Sequence, residues 1–88
     1  MSMDDGELWE RWRGGDALAF ERVVRRHTPR LLAAATRLTR DGVEADEVVQ
    51  EAFIAAWRGA AGFDGRAQLG TWLHRITINT ALGRLRRG

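Results

Sequence analysis

Trp72, Arg75 and Asn79 follow one another at spacings of three and four near the end of the chain. At about 100° per residue they fall within about 60° of each other and of Arg86 on one side of a helix. Indole and guanidinium planes stack on nucleobases, and amide and guanidinium groups hydrogen-bond base edges. A helix that only packs needs none of these, and Asn79 is a poor choice in mid-helix. Arg84, Arg86 and Arg87 close the segment. Plainer readings stand beside these. Trp72 also suits a core, and the arginines also suit a helix C-terminus, whose dipole favours cations.

A second group carries the opposite charge. Asp41, Glu44, Asp46, Glu47 and Glu51 lie between Asp41 and Trp57 with no basic residue among them. On a helical wheel Val48, Val49, Ala52, Phe53 and Ala56 share one face. Glu47, Glu51, Ile54 and Arg58 lie opposite, with Asp46 and Gln50 on the shoulder. Apart from Arg58 no arginine stands at i+4 to pair these acids, so the sequence does not suggest a salt-bridge lattice. An apolar Ile54 amid polar neighbours is the pattern of a docking surface. A solvated outer face is the alternative. Acidic and basic segments in succession point to two partners, the second of them anionic.

Between these groups runs GAAGFDGRAQ, residues 59–68. Its glycines let backbone approach a ligand closely. Phe63 is either a stacking surface or a plug for the core, and Arg66 is free to meet a phosphate. The glycine spacing is not that of a phosphate-cradling loop. His27 and His74 are too far apart to argue a metal site and read as structural or surface residues.

The elements that must position these groups are helical. Residues 4–13 form a short first helix ended by Gly14-Gly15. Asp16 caps a second over 17–27, with Leu18, Phe20, Val23 and Val24 inward. Thr28-Pro29 starts a third, running to Thr39 with Leu31, Leu32, Ala35 and Leu38 buried. Asp41-Gly42 breaks the chain before a fourth over 44–59, and the tail is the fifth. In that last helix Leu69, Leu73 and Ile76 point one way and Ile78, Leu82 and Leu85 nearly the other, so its buried face changes or its end leaves the bundle. The expected fold is an all-α compact bundle of four to five helices in one domain. With 88 residues, no cysteine, no lysine and fourteen arginines, the chain excludes disulfides and thiolate metal sites. No run is long enough to span a membrane, so a cytoplasmic protein without membrane insertion is expected. No nucleophile–base pair, metal cluster or phosphate loop is present, so neither enzyme activity nor a cofactor is expected.

DEVVQEAFIAAWRG (46–59) followed by GFDGRAQLGTWLHRITINTALGRLRR (62–87) resembles the second domain of an extracytoplasmic-function (ECF) bacterial sigma factor. DALAFERVVRRHTPRLLAAATRLT (16–39) is similar to that domain's first part. The resemblance implies a promoter-specificity subunit of RNA polymerase. Asp46, Glu47, Gln50, Glu51 and Ile54 match positions that dock on the clamp coiled coil of the largest polymerase subunit. Phe63, Asp64, Gly65 and Arg66 match the loop that captures a base flipped from the non-template strand of the minus-ten element. Trp72, Arg75 and Asn79 match the helix face toward DNA, and Arg84, Arg86 and Arg87 lie where backbone contacts are expected. An anti-sigma factor is a further implied partner. Gly70 and Gly83 stand where the family has larger or acidic residues, so the last turn is expected either to fray or to approach DNA closely. The family's second helical domain, for the minus-thirty-five element, is not in the chain, which reads as an excised domain. A protein-interaction module bound by an anti-sigma factor and a duplex-binding helix-turn-helix regulator are the competing readings. The long glycine-rich loop before the last helix counts against the second.

Overall fold

The computed structural model describes residues 3–59, 62–63 and 68–87. Four helices follow one another: α1 (Asp5–Arg13), α2 (Ala17–Thr39), α3 (Gly42–Arg58) and α4 (Leu69–Arg87). The architecture is all-α, as the periodicity requires. α2 packs against each of the other three, and α3 and α4 pack on each other.

Short acidic caps set where three helices begin. Asp4 accepts from the Glu7 amide, Asp16 from Leu18 and Ala19, and Asp41 from Val43 and Glu44. Each cap satisfies amides that the first helical turn leaves without partners. Between α2 and α3 the chain reverses through Arg40, whose φ of 57° is left-handed.

The expected break at Thr28-Pro29 does not occur. α2 is one helix of 23 residues with Pro29 inside it. The Thr28 hydroxyl does not cap a new helix; it donates to the Val24 carbonyl at 2.6 Å, one turn back. The buried residues explain the continuity. Ala19, Val23, His27, Leu31 and Ala35 form an unbroken row at i+4 spacing, and a break at Pro29 would throw its two halves out of phase. Leu18, expected inward, is 71% exposed, and Ala19 takes its place.

α4 likewise keeps one buried face. Leu69, Leu73, Thr77 and Ala81 are buried in sequence at i+4, so the inward row passes from large to small side chains without rotating. Thr77 is fully buried, and its hydroxyl is satisfied by the Leu73 carbonyl at 2.9 Å. Leu82 and Leu85 are left outside. The helix continues through Gly83 to Arg87.

Candidate nucleic-acid and protein docking site

The inner face of α3 is the one its periodicity selects: Val48, Val49, Ala52, Phe53 and Ala56, joined by Ala45, are buried. The opposite side therefore faces solvent. Asp46, Glu47 and Gln50 are exposed, Glu51 is half-exposed, and Ile54 is 54% exposed. Gln50 donates to Asp46 Oδ2 at 2.7 Å, which orders two of these side chains one turn apart. The surface has an apolar centre and a polar rim.

The acids are not unpaired, as the sequence suggested. Arg84 of α4 lies over α3 and meets three of them. Its Nη2 is 2.7 Å from Glu47 Oε2, its Nη1 3.1 Å from Glu51 Oε2, and its Nε 3.6 Å from Glu44 Oε1. Arg87 adds a looser contact, Nη2 to Glu51 Oε1 at 4.0 Å. The hydrogen bond to Glu51, then that to Glu47, holds the Arg84 pKa above its ordinary value against the opposing effect of burial. Arg84 was expected at a DNA backbone; here its guanidinium is occupied by α3. No i+4 pattern within α3 could have revealed this, because the two hydrogen-bonded partners are 33 and 37 residues away in sequence and Glu44 is farther still.

On the outer side of α4, Arg75, Asn79 and Arg86 are exposed, as is Thr71. Trp72 sits at the edge of this face, partly buried and packed on the core. Its ring is 6.2 Å from Trp12 and 4.9 Å from Phe63, centroid to centroid. These contacts belong to a larger assembly. The chain's four tryptophans and three phenylalanines join in one run of rings. From Phe53 it passes to Phe20 and Trp57, then to Trp12, Trp72 and Phe63, and ends at Trp9. Edge and tilted ring pairs of this kind add to simple area burial.

Phe63 is 7% exposed and caught between Trp9, at 5.1 Å, and Trp72. Of the two roles open to it in the sequence, the plug is the one its placement fits. It packs against the first turn of α4, where the Trp72 backbone N–H donates to the Gln68 carbonyl at 3.1 Å. Asp64, Gly65 and Arg66 lie outside the described residues.

One more contact sets the start of α4. His27 is buried, with Nε2 3.1 Å from Asp5 Oδ2. A Cβ on Gly70 would stand 3.3 Å from His27 Cε1. Glycine at this position therefore lets α4 approach the imidazole of α2. Arg26 completes the junction, bonding Asp5 Oδ1 at 2.9 Å and the Met3 carbonyl at 2.6 Å.

Comparison with known proteins decides what this arrangement is. The family model described as sigma-70 region 2 matches residues 23–88. The chain belongs to that family. It is 41% identical over 83 residues to the ECF RNA polymerase sigma factor SigM of Mycobacterium tuberculosis, covering 94% of this chain and 42% of the relative. It is 42% identical over 81 residues to the RNA polymerase sigma-H factor of Pseudomonas aeruginosa, covering 92% and 42%. The ECF RNA polymerase sigma-E factor of Escherichia coli is 39% identical over 79 residues. The chain thus spans less than half the length of these curated relatives. A solved structure, an engineered region 2 of sigmaE in complex with GTAAAA, superposes with a TM-score of 0.90 at 38% identity. It covers 99% of this chain and 93% of its own. This region 2 domain is therefore of the ECF type in sequence and in fold. Among the described residues, no helix is long and apolar enough to cross a membrane.

Proposed function

We propose that this domain confers promoter specificity on RNA polymerase in transcription initiation. α3 docks on the clamp coiled coil of the largest subunit through Asp46, Glu47, Gln50, Glu51 and Ile54. The outer face of α4 and the loop before it take the non-template strand of the minus-ten element and capture a flipped base. The observation that carries the reading is the exposure of Arg75 and Asn79 on a helix whose first turn packs against Phe63 through Trp72. Unstacking a base costs a few kcal/mol, which edge hydrogen bonds from the exposed Asn79 and Arg75 offset. The neighbour that holds GTAAAA supports the placement of a nucleic-acid strand on this fold. Arg75 and Asn79 read the strand, Asp64, Gly65 and Arg66 form the pocket loop, and Arg86 meets its backbone. Such a role places the domain in the cytoplasm.

A titration with single-stranded and duplex oligonucleotides containing GTAAAA tests this. The single strand binds more tightly, and Asn79→Ala lowers its affinity by about tenfold, as the loss of one well-placed edge contact requires. Equal affinity for the duplex contradicts the reading.

Leu82 and Leu85, 41% and 47% exposed on the outer side of α4, favour a second partner that covers apolar surface. An anti-sigma factor that occupies this side and the acidic face of α3 would exclude polymerase and DNA together. Competition between such a factor and core polymerase for the domain is the corresponding test.

A further inference from the structure

The last turn of α4 is retained in an unusual way. Ala81 is the last buried residue of the chain's described part, and nothing after it enters the core. Gly83 follows, and a Cβ placed there would meet nothing within 4 Å. Packing therefore does not demand glycine, yet glycine is among the poorest helix formers. Beyond it come Arg84, Leu85, Arg86 and Arg87, of which Leu85, Arg86 and Arg87 are exposed. What ties this turn to the bundle is the ion-pair cluster. Arg84 reaches Glu44, Glu47 and Glu51, and Arg87 reaches Glu51.

That cluster is open to competition. Glu47 and Glu51 have side chains 54% and 45% exposed, so a cation from another molecule can approach them from solvent. Arg84 Nε is buried without a hydrogen-bond partner among the described residues, its nearest carboxylate oxygen being 3.6 Å away. At that distance attraction remains but no hydrogen bond forms. The hydrogen bonds that hold Arg84 therefore run to Glu47 and Glu51, the two solvent-accessible carboxylates, and a cation that competes for them weakens the cluster directly.

We propose that Arg84 and Arg87 form a latch between the polymerase-docking face of α3 and the DNA-facing helix. In the free domain Glu44, Glu47 and Glu51 hold the arginines of the last turn. A basic polymerase surface that engages Glu47 and Glu51 displaces them. The turn beyond Gly83 then loosens and delivers Arg84 and Arg87 to backbone phosphates beside Arg86. Each ligand breaks the same internal contact, so binding of either one makes the other tighter, by the same factor in both directions. Arg84 thus reaches DNA only after α3 lets it go. The inference rests on the function proposed above.

The test opens the latch without polymerase. Glu47→Gln with Glu51→Gln removes the two close carboxylates while keeping their shape. The domain is titrated with a single-stranded oligonucleotide containing GTAAAA and flanking nucleotides, over a series of salt concentrations. The double variant binds at least about fivefold more tightly, the low end of ordinary coupling between sites. Its salt slope steepens by about 0.7 for each arginine newly placed on a phosphate. Adding Arg84→Gln and Arg87→Gln abolishes both changes. Amide hydrogen exchange at residues 84–87 quickens in the double variant, while helix content by circular dichroism stays that of the parent. A gain that survives loss of both arginines means general charge relief and overturns the latch, as does unchanged exchange at residues 84–87. If the parent domain binds neither this strand nor core polymerase, the functional reading itself fails and the latch falls with it.

Discussion

Asn79 and Ile54 make opposite demands on the same small domain. Both are exposed, so neither contributes much to the core, and replacing either leaves stability within about 0.5 kcal/mol. Their losses are functional and separable. Ile54→Asp weakens association with core polymerase while leaving single-strand binding by the free domain within about twofold, because Ile54 has no part in the Arg84 and Arg87 ion pairs that join α3 to α4. A pull-down with core polymerase beside an oligonucleotide titration separates the two effects. The glycines of α4 make a second pair. Gly83→Ala stabilises the domain by about 1 kcal/mol, a rise of about 4–8 °C in Tm, since the new methyl meets open space. Gly70→Ala yields less or reverses sign, because its methyl presses on the His27 imidazole. Thermal melting of the two variants side by side measures the difference.

At the scale of elements, Phe63 and the start of α4 are set by the aromatic run that begins on α1. Trp9 lies outside the matched family segment, yet its ring holds Phe63 from one side while Trp72 holds it from the other. Trp9→Ala therefore costs about 3 kcal/mol or more and lowers single-strand affinity beyond what lost folding explains. Titration below the variant's melting range checks that. Much of this level was legible in the sequence: the buried face of α3 and the exposed Ile54 follow from helical periodicity, and the cap at Asp16 from its residue type, whereas Asp41 reads only as part of a break and in fact caps α3. Two elements were not. Thr28-Pro29 looked like a helix start because local rules rank proline at the first turn highest. The row Ala19, Val23, His27, Leu31, Ala35 was the signal for one helix, and it ran across the proposed break. In α4 the large residues Ile78, Leu82 and Leu85 suggested a rotated face, whereas tight helix packing buried the small Thr77 and Ala81 instead.

For the molecule as a whole, charge is the organising quantity. Fourteen arginines face twelve acids, a formal net charge of +2, and the structure pairs part of both groups across α3 and α4. That pairing could not be read from the sequence, because an ion pair between distant residues leaves no periodic trace. It also predicts how the domain responds to its solvent. The raised Arg84 pKa means its contribution is complete below the unfolded value and is lost only as pH climbs through the higher folded one. Hydrogen-exchange protection of the last turn of α4, corrected for intrinsic rates, therefore stays constant from about pH 6 to 9. Added salt lowers it, because these partly exposed pairs are screened. The central claim concerns strand selection, and one measurement addresses it most directly: competition between single-stranded and duplex GTAAAA oligonucleotides for the domain, repeated with Asn79→Ala. Preference for the single strand, lost in the variant, is the predicted result. Indifference to strandedness, or a preference that survives without the Asn79 amide, would contradict it.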